Sequence, residues 1–180
     1  MQNIVFICTG NTCRSPMAEG FFRALGGEKK TGLAALSAGM YTSDGLPASE
    51  NAVTAAAELG ADITSHRSRM LTPELAREAK YLVCMTGAQY DNLCAAFPDC
   101  ADKVFTLTPA DVSDPFGGDL EIYRRAAAEI KAGVQSIVFA KARLTVEVLV
   151  RYLKDMVRDP LGNAGQVRGY RGGYLPTQIA

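Results

Sequence analysis

The chain has 180 residues, with 19 basic side chains against 19 acidic ones and one histidine. This length suits a single domain with a substantial core, and the balanced charge gives no overall field that would draw the chain to nucleic acid or to an anionic membrane. Five cysteines, an odd number that lies mostly in apolar runs, indicate a reducing cytoplasm rather than a secreted disulfide framework.

Short apolar runs alternate with helix-compatible segments along the first part of the chain. In chain order we predict a strand at 3–7, a helix at 16–25, a strand at 33–37, a helix at 47–59, a helix at 73–79, a strand at 81–85, a helix at 88–97 and a strand at 103–107. This alternation predicts an α/β fold, a single domain with a four-stranded parallel sheet and helices on both faces. Ligands of such sheets bind at the carboxyl ends of the strands.

The C-terminal part has a different character. Asp119 caps a long helix-compatible segment, and we expect Gly133 to break it. The chain then divides into a core at 1–135, an additional apolar helix at 136–158 and a flexible tail at 159–180. The apolar side chains of that helix are too many to lie on one narrow face, so we expect it to be buried on more than one side. It would pack in its own domain or form a homodimer contact.

Neither a membrane nor a metal is expected as a partner. The N-terminus runs straight into a strand, without the basic segment of a signal peptide. The longest apolar stretch is interrupted by charged side chains, at Lys141, Arg143, Glu147 and Arg151, which excludes an ordinary membrane span. One histidine and no Cys/His cluster make a zinc site unexpected.

The segment after the first strand carries the strongest chemical signal. It is called the phosphate loop here and reads Cys8-Thr9-Gly10-Asn11-Thr12-Cys13-Arg14-Ser15. The residues between Cys8 and Arg14 are few enough to curl so that backbone N–H groups point inward and Arg14 closes the rim. A helix that begins near Pro16 adds the positive end of its dipole. Such a loop binds a dianionic phosphoryl group and favours the thiolate of Cys8, the nucleophilic form.

Further residue choices in the phosphate loop support this interpretation. Gly10 and Asn11 tolerate the positive φ of a tight loop, and Ser15 places a hydroxyl near the thiolate. The structural alternative for Cys8 is a buried strand cysteine without chemistry, and these choices weigh against it.

Residues 110–118, called the acid loop here, follow the fourth predicted strand and so belong at the same edge of the sheet. Transfer of a phosphoryl group to sulfur requires a proton for the leaving group. Asp114 is the candidate donor, because Pro115 stiffens the backbone after it. Asp111 is a rival with a less rigid placement, and the structural alternative is a surface turn before a helix cap.

Three motifs together resemble the low-molecular-weight protein tyrosine phosphatase family, over roughly three quarters of the chain: Cys8 to Ser15, Ser37-Ala38-Gly39 and Asp114-Pro115. The resemblance implies a cysteinyl-phosphate intermediate without a metal or another cofactor. It implies that Cys8 attacks phosphorus while Arg14 and the loop amides bind the phosphoryl oxygens. Asp114 would protonate the leaving group and then activate the hydrolytic water.

By the same resemblance, Ser15 supports the Cys8 thiolate, and Asn11 holds the strained loop through contacts with Ser37 and His66. The predicted substrate-binding residues comprise the rest of the phosphate loop and one aromatic residue: Thr9, Gly10, Asn11, Thr12, Cys13, Ser15 and Phe116. Apart from the resemblance, His66 is interpreted as a structural histidine.

Two positions bear on the substrate. Tyrosine-specific members of the family usually carry a branched aliphatic residue where this chain has Thr12. They also tend to carry a further aromatic after the acid, where this chain reads Asp-Pro-Phe-Gly-Gly. Both variants resemble the bacterial protein-arginine phosphatase branch. The Thr12 hydroxyl can accept a hydrogen bond from a guanidinium, whereas an aliphatic side chain packs on a phenol ring. We therefore expect phosphorylated proteins as substrates, and phosphoarginine is the favoured phosphorylated residue. The alternative is a phosphotyrosine phosphatase in which Thr12 is a neutral difference.

Cys13 leaves further hypotheses open. It lies close enough to Cys8 along the loop for a reversible disulfide that protects the nucleophile, or it is a small buried loop residue. Thioredoxin-coupled arsenate reductases also look similar through the phosphate loop, but they need resolving cysteines at a spacing that differs from the one found here, at Cys84, Cys94 and Cys100. A phosphate-binding redox sensor is the rival from another class, although a pure binder needs neither a nucleophile nor an acid.

Overall fold

The structure, a computed structural model, describes residues 1–143 of the chain. Its strands are β1 (Gln2–Cys8), β2 (Leu33–Gly39), β3 (Ala79–Cys84) and β4 (Val104–Thr106). They form one parallel sheet in the order β2-β1-β3-β4. The predicted four-stranded parallel sheet is therefore confirmed, and β1, a central strand, leads at its carboxyl end directly into the phosphate loop.

Helices connect and follow these strands. They are α1 (Arg14–Ala24), α2 (Gly27–Thr31), α3 (Glu50–Glu58), α4 (Pro73–Glu78), α5 (Gly87–Ala96) and α6 (Leu120–Arg143), with a 3₁₀ helix at Pro98–Lys103. Two predicted caps are confirmed. The Thr72 hydroxyl accepts a hydrogen bond from the Leu75 N–H at 3.1 Å, and the Asp119 carboxylate accepts one from the Ile122 N–H at 3.0 Å.

Side chains of β1 alternate between two cores, as the two-residue period of a strand requires. Ile4 and Phe6 belong to the core that α1, α3 and α6 cover, whereas Val5 and Ile7 belong to the core with residues of α4 and α5. The sheet thus has helices on both faces, as predicted. Because both faces are covered, the carboxyl edge of the sheet is where a ligand has access.

The predicted end of the first helix is confirmed, because α1 ends just before Gly26. A short helix that was not predicted, α2, follows from Gly27, and its five residues are too few for a periodic pattern. The predicted break at Gly133 is wrong, because α6 runs through it. A Cβ on Gly133 would lie 2.8 Å from the Leu107 Cγ, so this glycine permits close packing of α6 against the chain after β4.

Residues 136–143, the first part of the predicted additional helix, therefore continue α6. The rest of that predicted helix and the predicted tail at 159–180 lie outside the described residues. Within residues 1–143, none of the helices is long and apolar enough to cross a lipid bilayer.

Candidate active site

Cys8 lies at the floor of the phosphate loop, where β1 ends. Its side chain is buried, and its Sγ lies 3.0 Å from the Ser15 hydroxyl oxygen and 3.3 Å from the backbone N of Asn11. Helix α1 begins at Arg14, within the same loop. A thiolate at this position therefore receives two hydrogen-bond donors and the positive end of a helix.

Asn11 links the phosphate loop to its surroundings. It is fully buried, and it has a φ of +53°, a left-handed conformation that asparagine adopts more readily than most residues. Its Nδ2 donates to the Ser15 Oγ at 2.8 Å and to the Ser37 Oγ at 3.0 Å. Its Oδ1 accepts from the backbone N–H of Arg69 at 2.9 Å. Every polar group of this side chain is thus used to hold the loop.

His66 contacts the backbone of the same residue. Its Nε2 lies 2.7 Å from the carbonyl oxygen of Asn11, which can only accept, so Nε2 carries the proton. Burial lowers the pKa of His66, with smaller opposing effects from the Asn11 bond and from Glu19 and further lowering by Arg69 and Arg67. The structure therefore brings together Asn11, Ser37 and His66 as predicted, with a neutral imidazole near pH 7.

Arg14 closes one side of the loop and reaches the acid loop. Its guanidinium is almost completely buried; Nη1 donates to the Val112 carbonyl at 3.3 Å, and Nη2 lies 3.3 Å from Asp114 Oδ2. Asp114 is half-exposed, and its Oδ1 accepts from the Phe116 N–H at 3.2 Å. The rival Asp111 instead accepts from the Gly87 N–H at 2.9 Å. The acid loop therefore presents Asp114, not Asp111, to Arg14.

An open cavity of about 250 Å³, called the active-site cavity here, connects these groups. Its lining residues come from the two loops: Cys8, Thr9, Gly10, Thr12, Cys13, Arg14, Asp114 and Phe116. Phe116 is 79% exposed and forms an aromatic wall. Two of the predicted substrate-binding residues, Asn11 and Ser15, are fully buried and do not line the cavity. They contact Cys8 and the surrounding network instead.

The thiol of Cys13 contacts two hydroxyl groups from outside the phosphate loop. Its Sγ lies 3.3 Å from the Tyr123 hydroxyl oxygen and 3.4 Å from the Ser49 hydroxyl oxygen. Burial raises the pKa of Tyr123, which keeps this phenol neutral. Sequence reasoning did not single out Tyr123 or Ser49, because a tyrosine in a helix resembles a core residue and a serine before a helix resembles an ordinary cap.

Gln89 is a further contact that sequence reasoning missed. It is buried in the first turn of α5, where its Nε2 donates to the Thr9 Oγ1 at 3.3 Å and its Oε1 accepts from the Met85 N–H at 2.9 Å. A polar residue just beyond the carboxyl end of β3 was the available signal, because that end lies beside the phosphate loop.

The three remaining cysteines lie outside the lining of the active-site cavity. Cys84 is buried in β3, and burial raises the pKa of its thiol to about 12. Cys100 is also buried, and burial raises the pKa of the partly exposed Cys94. All five cysteines of the chain are free thiols. In the part of the chain that the structure describes, no three His, Cys, Asp or Glu side chains group together as a metal site would require.

Comparison with known proteins identifies the family of this chain. The sequence model of the low molecular weight phosphotyrosine protein phosphatase family matches residues 3–150. The chain therefore belongs to this family of protein phosphatases.

Individual relatives carry several activities. The protein-arginine-phosphatase of Geobacillus stearothermophilus is 39% identical over 134 residues, covering 71% of this chain and 88% of the relative. A solved YwlE arginine phosphatase structure from that organism has a TM-score of 0.70 and 36% identity, covering 77% of this chain and 92% of its own. The probable low molecular weight protein-tyrosine-phosphatase EpsP of Ralstonia solanacearum is 34% identical, covering 77% and 94%. Arsenate reductase 1 of Staphylococcus epidermidis is 33% identical, covering 75% and 94%.

Proposed function

We propose that this protein phosphatase hydrolyses phosphoarginine in proteins through a cysteinyl-phosphate intermediate. The Cys8 thiolate attacks phosphorus, an S–P bond forms, and the P–N bond to the guanidinium breaks. Arg14 and the positive end of α1 bind the phosphoryl oxygens, which are negatively charged. The contacts of Cys8 with Ser15 and with the Asn11 N–H support its role as the nucleophile, because they stabilise sulfur in its anionic form.

Asp114 supplies the proton for the leaving nitrogen. In the free protein its carboxylate pairs with Arg14 at 3.3 Å. An arriving phosphoryl dianion competes for the same guanidinium, which frees the Asp114 carboxyl to carry a proton to the leaving group. Asp114 then takes a proton from the water that attacks the thiophosphate. That attack breaks the S–P bond, releases phosphate and restores the Cys8 thiolate.

The position of Thr12 is the observation that carries the substrate assignment. Thr12 lines the active-site cavity together with Cys8 and Asp114, and its hydroxyl oxygen lies 3.7 Å from the Sγ of Cys13, another lining residue. A guanidinium has N–H donors next to its phosphorylated nitrogen, and a hydroxyl can accept one of them. A phenol ring offers no such donor there. The similarity to the arginine phosphatase of Geobacillus stearothermophilus supports the same assignment.

The test compares kcat/KM for phosphoarginine and phosphotyrosine in the wild type, Thr12→Ile and Thr12→Ser. We expect the arginine preference of the wild type to fall about tenfold or more in Thr12→Ile, as the loss of a hydrogen bond to a charged group predicts. Thr12→Ser keeps the hydroxyl and should keep the preference. Cys8→Ser serves as the control without turnover. Equal preferences in wild type and Thr12→Ile would exclude Thr12 as the selector, and a wild type that prefers phosphotyrosine would overturn the substrate.

Tyrosine phosphatase activity is the second candidate, and one observation favours it. Phe116 is a largely exposed aromatic ring on the wall of the active-site cavity, where a phenol ring could stack on it. The relative EpsP, a probable tyrosine phosphatase, covers the same part of the chain. The experiment above separates the two substrates directly.

The arsenate reductase and sensor hypotheses have less support. A reductase must pass its disulfide to further cysteines, and the burial that raises the pKa of Cys84 to about 12 disfavours its thiolate. A sensor needs no proton donor, yet Asp114 lies in the active-site cavity with Cys8. Both observations favour a phosphatase.

The setting that we propose is the cytoplasm, since all five cysteines are free and none forms a disulfide. Phosphorylated proteins are the proposed partners, without nucleic acid or membrane. The additional role of residues 136–158 in a homodimer stays a prediction, and a solution mass that shows only monomer would contradict it.

A further inference from the structure

A second cavity, of about 260 Å³, lies between α1 and the segment 62–69 and is called the α1 cavity here. It shares no lining residue with the active-site cavity. Its charged and titratable lining consists of Glu19, Arg23, Asp62, His66, Arg67 and Arg69. Three guanidinium groups therefore face two carboxylates around this space, which leaves one net positive charge while His66 is neutral.

Both carboxylates are already committed to other groups. Glu19 accepts a hydrogen bond from the Ser37 hydroxyl through Oε2 and pairs with Arg23 through Oε1 at 2.8 Å. Asp62 Oδ1 accepts from the backbone N–H and the hydroxyl of Thr64, at 2.9 Å and 2.7 Å. The positive charge that remains is therefore carried by the arginines of the segment 62–69.

Arg67 and Arg69 retain donors for a ligand. Arg67 donates from Nη1 to the His66 carbonyl at 2.7 Å. Arg69 donates its backbone N–H to the Asn11 Oδ1, so its guanidinium takes no part in that hydrogen bond. Among the residues whose side chains are described, neither arginine belongs to an ion pair. Both lie close enough to His66 to influence its charge. Planar guanidinium donors match the oxygens of a tetrahedral anion.

We propose that the α1 cavity is a second anion site, which binds an oxyanion of the phosphate class through Arg67, Arg69 and His66. The ligand is inorganic phosphate or the phosphoryl group of a phosphorylated side chain, since both present the same oxygens. This site goes beyond the proposed reaction, and its occupancy is measured without turnover.

The α1 cavity is connected to the nucleophile through His66. The imidazole donates from Nε2 to the Asn11 carbonyl, so a dianion in the cavity favours a second proton on Nδ1. The bond to Asn11 then becomes charge-assisted, and the N–H of Asn11 donates to the Cys8 sulfur. The charged groups that influence His66 are Glu19, which favours protonation, and Arg69 and Arg67, which oppose it. A bound anion offsets the effect of the two arginines.

The single histidine of the chain makes this site measurable by NMR. The pKa of His66 is obtained from its Cε1–H resonance between about pH 5 and 8 at constant ionic strength, with and without inorganic phosphate. We expect phosphate to raise the pKa of His66 in the wild type. The same rise is expected in Arg14→Ala, a variant that weakens phosphate binding in the active-site cavity instead. The double variant Arg67→Gln/Arg69→Gln should bind phosphate at this site about tenfold or more weakly, and the exposed control Arg125→Gln should behave as wild type.

Four further outcomes are informative. A response to a phosphoserine peptide but not to free phosphate assigns the site to a phosphorylated side chain, and a response to free phosphate assigns it to the diffusible anion. An unchanged pKa of His66 with both probes overturns the proposal. A response that disappears in Arg14→Ala and persists in Arg67→Gln/Arg69→Gln also overturns it, because the anion would then act from the active-site cavity. The backbone bond of Arg69 to Asn11 does not depend on its side chain, so the double variant keeps it.

Discussion

Replacement of Asn11 by alanine tests whether a buried hydrogen-bond network holds the phosphate loop. The alanine side chain removes the bonds to Ser15, Ser37 and the Arg69 N–H. It also places a residue with less tolerance for the left-handed region at a φ of +53°. Three lost bonds at about 1 kcal/mol each and about 1 kcal/mol for the backbone give a loss of about 4 kcal/mol in the free energy of unfolding.

Urea denaturation of the wild type and Asn11→Ala measures this loss. A domain with a stability of about 5–15 kcal/mol keeps the variant folded in dilute buffer, so kcat can be measured on the same samples. We expect kcat to fall as well, because Ser15 and the Asn11 N–H both contact the Cys8 sulfur. The exposed Asn92 on α5 provides the matched control, and Asn92→Ala should change stability by less than about 0.5 kcal/mol. A loss below about 1 kcal/mol for Asn11→Ala would refute the reasoning.

Three other predictions concern the acid loop, the imidazole and α6. Asp114→Asn should lower kcat for phosphoarginine by about 10²–10⁴-fold, as expected for a lost general acid, and stopped-flow kinetics with unchanged rates would remove Asp114 from the mechanism. His66 has a lowered pKa in the folded state, so the unfolded chain binds its proton more readily and stability falls as the pH drops through about 6.5. Between pH 7 and 5 the midpoint of thermal denaturation should fall less in His66→Gln than in the wild type; equal falls in both proteins would contradict this. Gly133→Ala should destabilise by about 1–3 kcal/mol through contact with Leu107, and a more stable variant would show that α6 can shift freely.

Local patterns were sufficient for the sheet and for the two loops of the site. Each strand is a short apolar run, and the phosphate loop is contiguous in sequence, so the spacing of Cys8 and Arg14 could be interpreted without tertiary information. The carboxyl-edge rule for parallel sheets then placed Asp114 beside them. What the sequence could not provide were contacts made by residues far apart in the chain. The Cys13 thiol meets the Tyr123 hydroxyl across 110 positions, and nothing near Tyr123 distinguishes it from a core residue.

Gly133 illustrates a different limit. A glycine inside a helical pattern is compatible with a break and with close packing, and both have the same local sequence. Only the position of Leu107 decides between them. The choice between Asp111 and Asp114 likewise depends on tertiary contacts. The Asp111 carboxylate accepts from the Gly87 N–H, whereas the Asp114 carboxylate pairs with Arg14.

The unbroken helix α6 has a mechanical consequence. Twenty-four residues at about 1.5 Å each make a stiff element of roughly 36 Å. One end follows the acid loop directly, and Tyr123 near that end contacts the Cys13 thiol. Gly133 lies in the part of α6 that packs against Leu107, just after β4. A flexible joint at Gly133 would let the two parts of α6 move independently, whereas the continuous helix couples the position of residues 134–143 to both loops of the site.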